Sequence, residues 1–103
     1  MIKVSVMYPR REGARFDFEY YRNTHTPLVL ERLGPACKRY SVDKGLTQPG
    51  LGAPPLYVAC CHLDFESVEA FNAAFGPHAK EIMADGPNYT DISPVSQLSE
   101  TYP

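Results

Sequence analysis

The strongest constraint on the architecture comes from the segment Leu56-Tyr57-Val58-Ala59-Cys60-Cys61-His62-Leu63, which is apolar almost throughout. Alternate residues of a β-strand point to opposite faces of the sheet. Both faces of this segment are apolar, with Leu56, Val58 and Cys60 on one and Tyr57, Ala59, Cys61 and Leu63 on the other. Because a strand that is apolar on both faces is covered on both, we expect a layer on each side of its sheet.

The segments on either side predict the remaining elements. Alternating apolar residues predict strands, and apolar residues at helical spacing predict helices. Asp17 and Ser67 have side chains favoured at helix N-caps. Strands are predicted at 2–8, 36–46, 56–63 and 92–102, helices at 18–33, 68–75 and 78–84, and an irregular connection at 47–55. This βαββαβ order is the split arrangement of a ferredoxin-like α+β fold, with a four-stranded antiparallel sheet in a single domain, 1–103.

The second face of the sheet needs a cover that this chain does not supply, because two helices cover only one face of four strands. Symmetric pairing with a second copy buries such a face. We therefore expect a homodimer in which two sheets form a dimeric α/β barrel.

Composition excludes several classes of function. The chain has 103 residues and a formal net charge of −2, which gives no electrostatic footprint for nucleic acid or an anionic membrane. No apolar run is long enough to span a bilayer and no signal peptide is recognisable, so we expect a cytoplasmic protein. The three cysteines have neither a disulfide framework nor zinc spacing, so no metal site is expected.

The first predicted helix carries a histidine on its apolar side. At 100° per residue, His25 shares a face with Phe18, Tyr21, Leu28 and Val29. A buried imidazole needs a hydrogen-bond partner or a ligand. Spacing alone leaves two interpretations open. His25 is either a structural histidine that is hydrogen-bonded to a nearby carbonyl or a functional histidine that contacts a ligand.

Pro27 lies two residues after this histidine. Within a helix it lacks an N–H and clashes with the carbonyl of Asn23, which predicts a kink near His25 and a free acceptor. Alternatively, Pro27 occupies the first turn of a second helical segment, 28–33. Either way His25 lies beside an interruption, where a ligand can bind.

Three blocks of the chain resemble the EthD family of dimeric α/β-barrel proteins. They are the opening strand Met1–Pro9, the helical block Tyr20-Tyr21-x-x-x-His25-x-Pro27-Leu28 after Phe16-Asp17, and the segment Ala84-Asp85 with Pro87-Asn88-Tyr89-Thr90-Asp91. The resemblance spans nearly the whole chain. It implies a ferredoxin-like homodimer without a tightly bound cofactor.

The resemblance also implies a class of chemistry. The superfamily includes small isomerases, decarboxylases and dehydratases that act on lactones or polyketide-like aromatics. Lactone isomerases among them have a histidine in the first helix and a tyrosine in the second strand, and the matching positions here are His25 and Tyr40. An imidazole can move a proton at a carbon next to a carbonyl, and a phenol can hydrogen-bond the resulting enolate oxygen.

These residues, together with the family resemblance, imply two possible functions. The first is a cofactor-independent enzyme of small-molecule catabolism or polyketide-type metabolism, which isomerises, decarboxylates or dehydrates a carbonyl or aromatic compound. Its catalytic residues are His25 and Tyr40, and its ligand-binding residues Tyr21, Leu28 and Tyr89. The second is a non-catalytic dimeric barrel that binds a small hydrophobic ligand or supports a partner enzyme. The sequence names neither the substrate nor the reaction.

Other polar residues have simpler interpretations. His78 follows the Gly76-Pro77 break and is expected to be exposed or to cap a helix. Asp85, Asn88 and Asp91 are compatible with a carboxylate site, but Asp and Asn clusters around a pair such as Gly86-Pro87 are typical of turns, which is the role expected here. Three arginines before the first helix, Arg10, Arg11 and Arg15, form a solvated loop or bind an anionic substrate.

Overall fold

The structure, a computed structural model, describes residues 1–50 and 52–103. Four strands alternate with helical segments in the predicted βαββαβ order. The strands are β1 (Ile2–Pro9), β2 (Arg39–Lys44), β3 (Tyr57–Phe65) and β4 (Val95–Glu100). The α-helices are α1 (Phe18–Tyr20), α2 (Thr26–Leu33), α3 (Val68–Phe75) and α4 (Ala79–Ala84). Leu51, part of the predicted connection 47–55, lies outside the described residues.

The four strands form one antiparallel sheet in the order β2-β3-β1-β4. The prediction of a ferredoxin-like α+β fold is therefore confirmed. The central strands β1 and β3 pair from Ile2↔Phe65 to Tyr8↔Ala59. Predicted N-caps are also confirmed: Asp17 accepts a hydrogen bond from the Tyr20 N–H, and Ser67 accepts one from the Ala70 N–H.

The helices pack on one face of the sheet and form the core with it. The buried side chains of that face come mainly from the central strands, and they are Val4, Tyr8, Ala59, Cys61, Leu63 and Phe65. Helical residues including Val29, Leu30, Phe71 and Phe75 pack against them.

The second face of the sheet is less apolar than the sequence indicates. Val58 and Cys60 lie on it half-buried, but His62 lies beside them. His62 contacts the Ser5 hydroxyl at 2.8 Å through Nδ1 and the Asp43 carboxylate at 3.4 Å through Nε2. The face that we expect to pair with a second copy therefore combines apolar and polar groups.

The first predicted helix is interrupted by π-helical geometry. Tyr21–His25 is a π-helical segment between α1 and α2, and the Thr26 N–H bonds to the Tyr21 carbonyl five residues earlier. Pro27 then lies in the first turn of α2, where its missing N–H costs least. The extra residue in the π-turn rotates the following helix, so that Thr26 is buried and Leu28 is only half-buried.

Candidate functional site

The π-helical segment places the imidazole of His25 inside the protein. His25 is 6% exposed and stacks on the Tyr21 ring with centroids 5.4 Å apart. Its ring also lies 4.6 Å from the ring of Tyr89. The histidine is therefore held between two tyrosines rather than packed among aliphatic side chains.

A carboxylate orients this imidazole. Asp85 Oδ2 lies 2.8 Å from His25 Nδ1. The other carboxylate oxygen, Oδ1, accepts hydrogen bonds of 2.8 Å from the Tyr20 hydroxyl and 2.8 Å from the Asn88 amide. These hydrogen bonds fix the orientation of the Asp85 carboxylate, so that Oδ2 is the oxygen that contacts the histidine.

The loop that contains Asp85 and Tyr89 is fastened to the start of the first helix. The backbone N–H of Asp17 donates to the carbonyl of Tyr89 at 2.7 Å, and Phe16 forms an isolated bridge with Thr90. The Thr90 hydroxyl adds a 2.7 Å bond to the Arg15 carbonyl. These long-range bonds bring the loop beside His25, although its local sequence is that of an ordinary turn.

Two tyrosine hydroxyls complete the arrangement on the other side of the imidazole. Tyr89 Oη lies 2.6 Å from Tyr8 Oη and 3.4 Å from His25 Nε2. Tyr8 comes from the end of β1, so the site combines the sheet, the first helix and the loop before β4. Asp85, His25, Tyr89 and Tyr8 form a continuous hydrogen-bonded chain.

Burial and hydrogen bonding set the protonation states of the chain. Burial lowers the pKa of His25 below its ordinary 6.5, and the bond to Asp85 offsets this only in part. Burial alone raises the pKa of Asp85, but hydrogen bonds from Asn88, His25 and Tyr20 outweigh it and hold the pKa below 3.8. Burial also raises the pKa of Tyr89. Near neutral pH, the ionised Asp85 accepts a hydrogen bond from the Nδ1–H of His25, which leaves Nε2 unprotonated as a base.

These residues adjoin a cleft of about 910 Å³ between the helices and the sheet. His25, Tyr8, Tyr21 and Tyr89 line it, and most of the remaining lining is apolar, with side chains from β1, β3, α2, α3 and α4. Asp85 is not in the lining and lies behind His25. The volume is typical of a site for a small organic molecule.

Cys61 also lines the cleft, where burial raises the pKa of its thiol to about 11.

The structure brings three of the five predicted site residues together. His25, Tyr21 and Tyr89 share the cleft. Leu28 lies outside the lining because the π-turn shifts the following helix by one residue and puts Val29 in the place that a regular helix gives Leu28. Tyr40 lies on the edge strand β2, is 57% exposed and is not in the lining. The phenol nearest to His25 comes from Tyr89, not from Tyr40.

Sequence reasoning missed two residues of this site. Asp85 was interpreted as a turn residue, yet its carboxylate binds His25. Tyr8 was interpreted only as the last residue of a strand, yet its hydroxyl binds Tyr89. One signal was available for Tyr8: it is the only polar side chain on the inward face of a strand that is otherwise aliphatic on that face.

In the described part of the chain, no three His, Cys, Asp or Glu side chains are placed to hold a metal ion. In the same residues, no helix is long and apolar enough to cross a membrane.

We predict that the free energy of unfolding falls as the pH drops below about 6.5. The pKa of His25 is lower in the folded state than in the unfolded one, so the unfolded chain binds more protons in this range and stability rises with pH. Urea unfolding at several pH values between about 7 and 5 measures this. His25→Gln should flatten the dependence, whereas His78→Gln, at a half-exposed histidine outside the cleft, should retain it. An equal slope in the wild type and His25→Gln contradicts the prediction.

A second stability prediction concerns Thr26. Its Oγ1 is buried and has no hydrogen-bond partner among the described residues, and an unsatisfied hydroxyl costs about 1–3 kcal/mol. Thr26→Val keeps the shape and removes this cost, so we expect a rise in Tm of several degrees, since ~1 kcal/mol corresponds to roughly 4–8 °C for a domain of this size. Thr26→Ala, which also removes packing, should not give the same gain. A lower Tm for Thr26→Val in a thermal melt contradicts this expectation.

Comparison with known proteins finds a family model and solved structures that this chain resembles. Residues 13–93 match the family model described as the EthD domain, whereas no curated protein sequence matches. An EthD-like protein from Ralstonia eutropha JMP134 is 55% identical, with 96% of this chain and 89% of that chain covered and a TM-score of 0.91.

Two more distant structures share the fold. An ethyl tert-butyl ether D (EthD) family protein from Bacillus halodurans C-125 is 19% identical, with 99% of each chain covered and a TM-score of 0.69. A dimeric ferredoxin-like protein from Thermobifida fusca YX is 14% identical, with 97% of this chain and 90% of that chain covered and a TM-score of 0.59.

Proposed function

The chain belongs to the EthD family, and on that premise we propose that it is a proton-transfer enzyme that acts on a small carbonyl or aromatic compound. The family is one of small-molecule metabolism, and a member is named for ethyl tert-butyl ether. The observation that carries the proposal is the chain of hydrogen bonds from Asp85 through His25 to Tyr89 at the wall of the cleft.

His25 acts as the general base. The Asp85 carboxylate holds the proton on Nδ1, so the lone pair of Nε2 points away from Asp85 and toward Tyr89. His25 removes a proton from a carbon next to the substrate carbonyl, and the electron pair of that C–H bond moves to the carbonyl oxygen. The resulting imidazolium is stabilised by the ionised Asp85. Return of the proton to a different carbon completes an isomerisation.

Tyr89 supports the negative charge that develops on the substrate oxygen. Its raised pKa keeps the hydroxyl protonated, and its oxygen lies 2.6 Å from the Tyr8 hydroxyl. In the proposed reaction Tyr8 is the donor of this bond, which leaves the Tyr89 O–H free for the substrate oxygen and polarises it. The distance of 3.4 Å between Tyr89 Oη and His25 Nε2 is long for a hydrogen bond. A substrate oxygen that accepts the Tyr89 O–H in place of His25 Nε2 exchanges this weak contact for a stronger one.

Exchange of carbon-bound protons with solvent tests this reaction without the natural substrate. We choose 2-tetralone as the probe, because it is a compact aromatic ketone with acidic protons beside the carbonyl. In D₂O, NMR should show that the protein accelerates loss of these proton signals beyond the rate in buffer alone. Chemical-shift changes in the protein would report binding of the probe separately. Binding with no acceleration supports the non-catalytic alternative, a barrel that binds a small hydrophobic ligand.

We propose further that the protein is a homodimer that buries the second face of its sheet. The half-buried Val58 and Cys60 and the exposed Val95 on that face support this proposal. The protein from Thermobifida fusca, which shares the fold, is described as a dimeric ferredoxin-like protein.

Light scattering should therefore give about twice the 11.5 kDa chain mass. Cys60→Lys places a charge in the centre of the second face and should give the monomer mass. Ala73→Lys, on the exposed side of α3, should leave the mass unchanged. A wild-type protein of monomer mass at micromolar concentration overturns the proposal.

A further inference from the structure

Arg15 gives the cleft a charge that the proton-transfer reaction does not use. Among the described residues that line the cleft, it is the only lysine or arginine. It lies just before the first helix and is exposed to solvent, which places it at the mouth of the cleft. The lining is mainly apolar, and beside Arg15 it also contains Asp91 and the uncharged Thr90. Arg15 is the residue of this group that offers charged N–H donors to a ligand, and an apolar ligand gains nothing from them.

The nearby carboxylate of Asp91 contributes to the electrostatic environment of Arg15 but bonds to other groups. Asp91 Oδ1 accepts the backbone N–H of Arg15 at 2.9 Å and pairs with Arg11 Nη2 at 3.2 Å. In the part of the chain that the structure describes, no carboxylate lies within ion-pair distance of the Arg15 guanidinium. The positive charge of Arg15 is therefore available to a ligand.

Two hydrogen bonds orient Arg15, one at its side chain and one at its backbone. Arg15 Nη2 donates to the Pro87 carbonyl at 2.7 Å, and the backbone carbonyl of Arg15 accepts the Thr90 hydroxyl at 2.7 Å. One of its five N–H donors is used, so the others remain for a planar anion. A side chain that is already fixed loses less conformational entropy when it binds a ligand.

We propose that Arg15 binds a carboxylate of the substrate at the mouth of the cleft. This proposal rests on the proposed function and names its substrate class: an amphipathic organic acid with an apolar or aromatic body and a reactive carbonyl. The carboxylate pairs with Arg15 while the apolar body fills the cleft toward His25 and the tyrosines. Arginine suits this role because its guanidinium matches a carboxylate in a bidentate geometry.

A pair of ligands that differ only in charge tests the assignment. The probes are 1-naphthoate and 1-naphthamide, which have the same aromatic body and nearly the same shape. Calorimetric or NMR titration of the wild type should give a Kd for the acid at least about tenfold below that for the amide. Arg15→Gln should remove this preference by weakening only the acid, and Arg15→Lys should retain part of it. Arg10→Gln changes the net charge equally in the same loop, outside the cleft lining, and should keep the preference.

Three results overturn the assignment. In the first, the wild type binds the two probes equally or binds neither. In the second, Arg15→Gln weakens the binding of both probes equally. In the third, Arg10→Gln loses the preference for the acid as Arg15→Gln does, which would show a general charge effect. The assay contains no proton transfer, so its outcome is independent of the tetralone exchange. A protein that prefers the acid but exchanges no protons keeps the Arg15 site and loses the proposed reaction.

Discussion

His25→Gln is expected to reduce the protein-dependent exchange of 2-tetralone protons by roughly 10²-fold or more. Glutamine retains the approximate size of the imidazole and its ability to hydrogen-bond Asp85, but it has no basic nitrogen. The free energy of unfolding at pH 7 should change by no more than about 1 kcal/mol. Exchange rates by NMR and urea unfolding on the same preparation measure both quantities.

The comparison variant is His78→Gln, which removes a half-exposed histidine outside the cleft lining. It should exchange protons at the wild-type rate. If His25→Gln instead unfolds readily while the folded fraction exchanges protons normally, His25 is a structural residue and the catalytic role is lost.

Asp85→Asn is expected to lower the exchange rate by a similar factor, roughly 10²-fold or more, although Asp85 is outside the cleft lining. The reason is the orientation of the new amide. Tyr20 and Asn88 both donate to Oδ1, so the amide oxygen should take that position and its NH₂ group should face His25 Nδ1. His25 Nδ1 then has to accept a hydrogen bond from this NH₂ group, so the ring proton moves to Nε2. Because Nε2 is protonated, it can no longer act as the base.

The pH dependence distinguishes this effect from a general loss of structure. With the carboxylate gone, the pKa of His25 should fall further, because Asp85 is what raises it. Residual exchange in Asp85→Asn should therefore not recover as the pH is raised above neutrality. Glu81→Gln, in α4 just before Asp85, should exchange normally, because Glu81 pairs with Arg32 rather than with the site. Wild-type exchange in Asp85→Asn would show that Asp85 does not position the base.

The fold was largely predictable because its signals are local. Alternation in β1 and the N-caps Asp17 and Ser67 depend on residues within one turn or one strand. The ends of the edge strands were less predictable. Strand β2 starts at Arg39 rather than residue 36, because Gly34–Ala36 forms a 3₁₀ turn after the helix. Strand β4 starts at Val95, three residues after the predicted beginning.

The site was only partly predictable because it depends on contacts between distant segments. His25 was found from helical periodicity, but its partner Asp85 is sixty residues away in a turn that any loop can form. The backbone bond from Asp17 to the Tyr89 carbonyl that brings this turn to the histidine has no local pattern. Leu28 was placed in the site because a regular helix was assumed, and periodicity cannot reveal a π-turn in advance.

The π-helical segment Tyr21–His25 gives the two halves of the first helix separate phases. Residues up to Tyr21 follow the angular count that starts at the Asp17 cap, and residues from His25 onward follow a count set back by one residue. If the same residues formed a regular helix, each half would still be amphipathic, but the part from His25 onward would turn by about 100° relative to Tyr21. The π-turn therefore has the geometry of a one-residue insertion, and the loss of one residue from Arg22, Asn23 or Thr24 should give a regular helix that keeps both halves in their present orientation. The extra residue decides which side chains of α2 face the cleft.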